Sequence, residues 1–191
     1  MIETPNYQVL IKQDNCEIRH YAEMITAEVS VGGSNYRNAA EKAFQVLASF
    51  IFGNNRSVEK IDMTSPVLAT KSEKIAMTAP VMVSYASMYT VSFVMPKKYT
   101  INNLPVPIDP NIKIRQQAEH DIAVIKFNSF FNEKKIVQNK DKLTEFVRKM
   151  GYRADSDFTV AGYNPPWVPG IFSRNEVMIK VIKIEEHRNE E

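Results

Sequence analysis

From about Asn35 to Phe52 the chain carries Tyr36, Ala39, Ala40, Ala43, Phe44, Val46, Leu47, Phe50 and Ile51 on one side of a helical wheel. At 100° per residue these side chains span an arc of roughly 160°, wide enough to demand a packed layer beneath it. Arg37, Asn38, Glu41, Lys42, Gln45 and Ser49 fill the opposite side, and Phe52 falls among them. Ser34 or Asn35 can supply an N-cap oxygen, and Gly53 stands where a left-handed stop belongs. A second helix is predicted from about Asn139 to Met150, with Leu143, Phe146, Val147 and Met150 in i, i+3, i+4, i+7 spacing and Gly151 as its stop.

The remainder reads as short strands. Tyr7–Lys12 and Cys16–Tyr21 flank the turn Gln13-Asp14-Asn15, and Met24–Val31 alternates Ala27, Val29 and Val31 with Glu28 and Ser30. Further strands are predicted at Val67–Thr70, Ile75–Met77, Val81–Tyr85, Tyr89–Met95, Ile112–Gln117, Ile122–Phe130, Phe158–Gly162 and Glu176–Ile184. Proline-rich breaks at Leu104–Pro110 and Asn164–Gly170 are too short for domain linkers. Strands surround each helix in turn, which predicts two similar halves, about residues 7–98 and 110–185, in one domain spanning residues 1–191. The expected fold is α+β: a distorted antiparallel β-barrel of two pseudo-symmetric halves, each with one helix packed outside.

Composition excludes several functions. With 24 basic and 22 acidic residues the net charge is +2, without the basic excess of a nucleic-acid binder. Cys16 is the single cysteine, so no internal disulfide forms, and a reducing, cytoplasmic setting is expected. Cys16 with the scattered His20, His120 and His187 makes a poor zinc set. The N-terminal residues lack the basic and apolar regions of a signal peptide. The uncharged stretch Ile75–Pro96 has membrane-spanning length, but Pro80, its hydroxyl residues and the alternation of Val91, Phe93 and Met95 fit strands, so no membrane partner is expected. No phosphate loop, dinucleotide fingerprint, GxSxG, HExxH or CxxC occurs, and no nucleophile has an identifiable base, so an enzyme is not expected.

Three features carry positive information. Lys60-Ile61-Asp62-Met63-Thr64-Ser65-Pro66-Val67 recurs as Lys74-Ile75-Ala76-Met77-Thr78-Ala79-Pro80-Val81, 14 residues on, with six identities in eight positions. Met63 and Met77 are adaptable apolar groups suited to core filling or to a flat ligand. In Glu17-Ile18-Arg19-His20-Tyr21, alternation places His20 with Cys16 and Ile18, and Arg19 with Glu17 and Tyr21. Ala161-Gly162-Tyr163-Asn164-Pro165-Pro166 is a turn, followed by Arg174-Asn175-Glu176-Val177, in which Glu176 caps or pairs.

These pieces, in this order with the helix end Phe50-Ile51-Phe52-Gly53-Asn54-Asn55, resemble the SOUL haem-binding family, over roughly Tyr7 to Lys183. The resemblance implies the two-halved barrel and binding of haem or another tetrapyrrole. In some members the histidine before the tyrosine is proposed as an axial ligand, and His20 stands there. Others hold haem in an apolar cleft beside the first helix, for which Phe44, Leu47 and Ile51 are the candidate walls here. Basic residues that meet the propionates in some members correspond approximately to Glu41, Ser49 and Val168, so Lys42, Arg37, Lys60 or Arg174 would have to substitute. The expected site is therefore His20 as metal ligand with Phe44, Leu47, Ile51, Met63, Met77 and Arg174. Its expected partner is haem or porphyrin, with no nucleic acid, held by a monomeric carrier or buffer. The effector domains of multidrug-sensing regulators resemble the family in fold, which gives an alternative: a module for other flat hydrophobic or cationic compounds. Burying on the order of 300 Å² of porphyrin contributes roughly 7 kcal/mol. After association costs this supports at best about micromolar binding without ligation or propionate pairing.

Overall fold

The computed structural model describes residues 5–33, 36–56, 61, 67–72, 87–128, 133–162 and 174–185. Met63, Met77, most of the tandem repeat, the strands predicted at 75–77 and 81–85, and the turn at 163–166 lie outside them. The elements are β1 (Tyr7–Gln13), β2 (Cys16–Tyr21), β3 (Met24–Gly33), α1 (Tyr36–Ile51), β4 (Val67–Ser72), β5 (Ser87–Val94), β6 (Lys113–Gln117), β7 (His120–Asn128), α2 (Glu133–Lys149), β8 (Tyr152–Ala154), β9 (Thr159–Gly162) and β10 (Arg174–Lys183). Among the described residues no helix is long and apolar enough to cross a membrane.

Local chemistry explains the boundaries. β1 and β2 form a hairpin closed by Gln13 opposite Cys16, and Asp14 takes the positive φ of 51° that the two-residue turn requires. α1 ends on Gly53 at φ 112°, where the Gly53 N–H donates to the Phe50 carbonyl and the Asn54 N–H to the Ser49 carbonyl. These are the paired bonds of a Schellman stop. α2 ends likewise on Gly151, at φ 76°. It begins six residues earlier than Asn139, because Ile136 is buried one heptad before Leu143 across an intervening polar turn.

All pairing is antiparallel, in the order β1-β2-β7-β10-β9-β4-β5-β3-β6, with β8 beside β10. Setting β1 and β8 aside, the order is palindromic about the β9–β4 pair: β2 answers to β6, β7 to β3, β10 to β5. Among the described residues the path runs open from β1 to β6, so the closed barrel expected from sequence is not found; the sheet curls instead. Met24 of β3 and Ile122 of β7 pack on one apolar cluster although their strands are far apart in that order.

Each helix covers one part of the sheet. Ala43, Leu47, Phe50 and Ile51 of α1 pack on Ala27 and Val29 of β3 and Val91 and Phe93 of β5. Ile136, Leu143, Phe146 and Val147 of α2 pack on Ile18, Ala123, Ile125, Val177 and Ile179. α1 sits very close to β3: a Cβ on Gly33 would lie 2.8 Å from the Ala39 Cβ, so only glycine fits there. The third cluster, with Tyr21, Val124, Ala161 and Met178, lies on the sheet face away from the helices. That inner face holds the candidate site.

Candidate functional site

Strand register assigns the inner face residue by residue. Glu17 pairs across with Val124, Arg19 with Ile122 and Tyr21 with His120. Glu176, Met178 and Lys180 of β10 face Lys126, Val124 and Ile122. Leu68 faces Ala161 and Ser92, and Ser92 faces Glu28. Opposed residues of an antiparallel pair share a face, so these side chains converge.

At one end of the face lies a buried ionic cluster. Arg19 is fully buried and donates two bonds to Glu176, Nη1 to Oε2 at 3.0 Å and Nη2 to Oε1 at 2.9 Å. Its Nε donates to Glu17 Oε2 at 2.8 Å, and Nη1 also donates to the Tyr21 hydroxyl at 3.1 Å. Lys126 Nζ meets Glu17 at 2.5 Å, and Arg174 meets Glu176 at 2.9 Å. The Tyr7 ring covers the Arg19 guanidinium at 4.3 Å. Burial opposes the charge on Arg19, but Glu176 outweighs it and holds the pKa above the usual arginine value. Burial would also raise the Glu17 pKa; the hydrogen bonds from Lys126 and Arg19 win and lower it. Burial pushes the Tyr21 hydroxyl up to about 12.

Tyr21 connects this cluster to a cavity of about 330 Å³. Its apolar lining includes Met24, Leu68, Val94, Ile122 and Met178, and its polar lining includes Glu28, Gln117, His120, Asp157 and Lys180. Glu28 is tied to Arg115 at 3.0 Å and to Thr26 at 2.9 Å. A second cavity of about 510 Å³ abuts the first, sharing Pro5, Met24 and Val94 and reaching Tyr99 and Ile101. The first volume lies at the lower end of the range for small-molecule sites, and apolar walls with few polar groups are the usual composition of such sites.

His120 belongs to this cavity. Its Nδ1 lies 2.6 Å from the Ala118 carbonyl oxygen, which can only accept, so Nδ1 carries the proton. Its ring is nearly parallel to Tyr21, 16° off at a centroid distance of 6.2 Å. Burial, reinforced by Lys180, lowers its pKa.

The residues expected from sequence are dispersed. His20 lies on the other face of β2, with Cys16 and Ile18 as alternation required, and its side chain is 40% exposed. Its Nδ1 is 2.8 Å from Asp121 Oδ1 and its Nε2 is 3.7 Å from Glu119 Oε2, and the Asp121 hydrogen bond is the main cause of its raised pKa. Leu47 and Ile51 are sealed in the core under α1, while Phe44 is 37% exposed with its ring edge-on to Phe93 at 5.5 Å. Arg174 stands beside Glu176 in the ionic cluster. His20, Phe44 and Arg174 therefore do not share one pocket. Sequence reading passed over His120, although alternation back from Val124 and Ile122 puts it on their face. Among the described residues no group of three or more His, Cys, Asp or Glu could hold a metal ion.

Comparisons with known proteins agree with this architecture. The chain is similar to Heme-binding protein 2 of Homo sapiens, 28% identical over 164 residues, or 85% of this chain and 76% of that protein. It is similar to Heme-binding protein 1 of Xenopus tropicalis, 26% identical over 162 residues, or 84% of this chain and 80% of that protein. Its fold resembles the crystal structure of the EcmrR C-terminal domain, with a TM-score of 0.65 and 10% identity over 93% of this chain and 99% of that one. It also resembles a structure described as a hydrolase from Listeria innocua, with a TM-score of 0.59 and 11% identity over 91% of this chain and 94% of that one. At such identities these two likenesses establish the fold alone. The family model described as SOUL heme-binding protein matches residues 2–73 and 69–180. The chain accordingly belongs to the SOUL haem-binding family.

Proposed function

We propose that this chain binds haem or another flat tetrapyrrole in the inner cavity, as a non-enzymatic cytoplasmic carrier or buffer. The observation that carries the reading is the cavity itself, with Met24, Leu68, Val94, Ile122 and Met178 in its apolar lining and Lys180 in its polar lining. An apolar macrocycle favours such walls, and an ammonium in the lining suits peripheral carboxylates. The abutting second cavity gives a flat ligand room to extend. The palindromic strand order supports the reading of two related halves, with the inner face between them as the binding element of a distorted barrel.

A cleft beside α1 fits less well, because Leu47 and Ile51 are occupied in core packing. The alternative ligand class, flat cations, needs a buried carboxylate without a partner. Glu17 and Glu176 are the fully enclosed carboxylates of the inner face, and Arg19 already joins both. Neither therefore offers a free counter-charge, and Glu28, which lines the cavity, is paired with Arg115.

The test is a titration with hemin, iron-free protoporphyrin and a panel of cationic aromatic dyes, read by absorbance, fluorescence and thermal shift. The reading expects a Soret shift and protoporphyrin binding at micromolar to tens of micromolar protein, in the affinity range of roughly 6–8 kcal/mol. Absence of any tetrapyrrole response, or a response to cations alone, overturns it.

A further inference from the structure

We propose that His120, through Nε2, is the protein ligand to the iron of a tetrapyrrole held in the inner cavity; the inference rests on the function proposed above. A histidine that coordinates a metal needs a neutral ring, a fixed tautomer and a lone pair facing the ligand's space. Metal-bound histidines commonly meet the first two needs by donating the other ring N–H to a carbonyl or carboxylate. His120 has that arrangement before any metal is present. Its Nδ1–H is committed to the Ala118 carbonyl at 2.6 Å, which leaves the lone pair on Nε2. Among the described residues nothing hydrogen-bonds to that nitrogen.

The ring is also held in place. It lies against Tyr21, whose hydroxyl is fixed by buried Arg19 at 3.1 Å, so the ionic cluster braces the imidazole. It shares the cavity with Ile122, Met178 and Leu68, which would contact the macrocycle around the iron.

His20 differs on each point. Both its ring nitrogens face carboxylates, Asp121 at 2.8 Å and Glu119 at 3.7 Å, and it stands on the opposite face of β2 from the cavity. The histidine singled out by motif position is thus engaged elsewhere, while one further along the sheet is prepared for coordination.

The experiment compares wild type, His120→Ala and His20→Ala, each titrated with hemin and with iron-free protoporphyrin. For His120→Ala the expected result is a loss of hemin affinity at least about tenfold greater than the loss of protoporphyrin affinity, since removing a cavity-lining ring affects both but removing an iron ligand affects hemin alone. The Soret and visible bands of its hemin complex should change, and added imidazole should restore them. His120→Asn, whose amide nitrogen takes the place of Nδ1 and can still donate to Ala118, serves as the second variant should the alanine variant not fold; the same loss of the iron spectrum is expected. A hemin spectrum and affinity unchanged in both His120 variants, or altered in His20→Ala instead, overturns the ligand assignment while leaving tetrapyrrole binding intact. Failure of wild type to bind either hemin or protoporphyrin overturns the binding reading itself.

Discussion

Lys180 Nζ donates a 3.0 Å hydrogen bond to Gln117 Oε1, although their strands, β10 and β6, stand five places apart in the pairing order. In a flat sheet five strand spacings would separate them by roughly 24 Å. The bond therefore measures how far the sheet has rolled: its end strand meets its middle through two side chains that both line the cavity. Lys180→Met should cut this tie and remove the cation from the lining. Hemin binding is expected to weaken about tenfold, the worth of one charge-assisted contact, whereas the dimethyl ester of the same porphyrin should bind as before. Equal losses for the acid and the ester would refute the role of Lys180 with carboxylates.

Arg19 tests the energetics of the inner face. Arg19→Met leaves Glu176 buried with its two-bond partner gone, a change expected to cost about 3–5 kcal/mol. Adding Glu176→Gln should recover part of that loss. Urea denaturation of the two variants checks both statements; a loss below about 1 kcal/mol in the single variant would contradict the pairing described.

The pH response follows from Glu17. Its folded pKa lies below the ordinary 4.5, so its pairing contributes stability fully above that value and loses it as pH falls through the folded pKa. The wild-type urea midpoint should therefore drop on acidification below about pH 4.5. Glu17→Gln, which cannot titrate, should start from a lower midpoint at neutral pH and show a shallower acid limb. Parallel acid limbs would mean that Glu17 is not part of the linkage.

The face of α1 separates core from surface. Leu47→Ala should cost about 2–5 kcal/mol, since the side chain is fully buried among β3 and β5 residues. Phe44→Ala, at a site 37% exposed, should cost less and leave hemin affinity within about twofold if the ligand sits on the inner face. A large loss of hemin binding in Phe44→Ala would move the site to the helix side.

Gly33→Ala probes the closest helix–sheet approach. The added methyl would meet the Ala39 Cβ at 2.8 Å and its backbone nitrogen at 3.2 Å. Pushing α1 away from β3 should destabilise by about 1–3 kcal/mol, seen as a lower melting temperature. An unchanged melting temperature would show that the helix start can shift freely.

Much of the fold was legible because burial follows period. The α1 stripe located Tyr36–Ile51 to within a residue at each end, and alternation in β2 correctly separated His20 from Arg19. The start of α2 was harder, since Ile136 precedes a polar turn before the apolar spacing resumes. The site was harder still. Glu17, Arg19 and Glu176 look like the solvated positions of alternating strands, yet they are buried because their charges satisfy one another across β2 and β10. The sequence holds Glu176 as a residue that caps or pairs, but its partner lies 157 positions away. His120 sits in a charged run, Glu119-His120-Asp121, where only the strand register reveals which face it takes.

The palindromic strand order has a consequence for how the molecule comes into being. β2, from the first half, is hydrogen-bonded to β7 of the second, and β6, from the second, to β3 of the first. Each half thus lends a strand to the other, like two swapped protomers fused into one polypeptide. During synthesis Cys16 gains its partner on β7 only once Ile125 has emerged. Fragments cut in the proline-rich segment near Leu104 should stay unfolded apart and assemble when mixed.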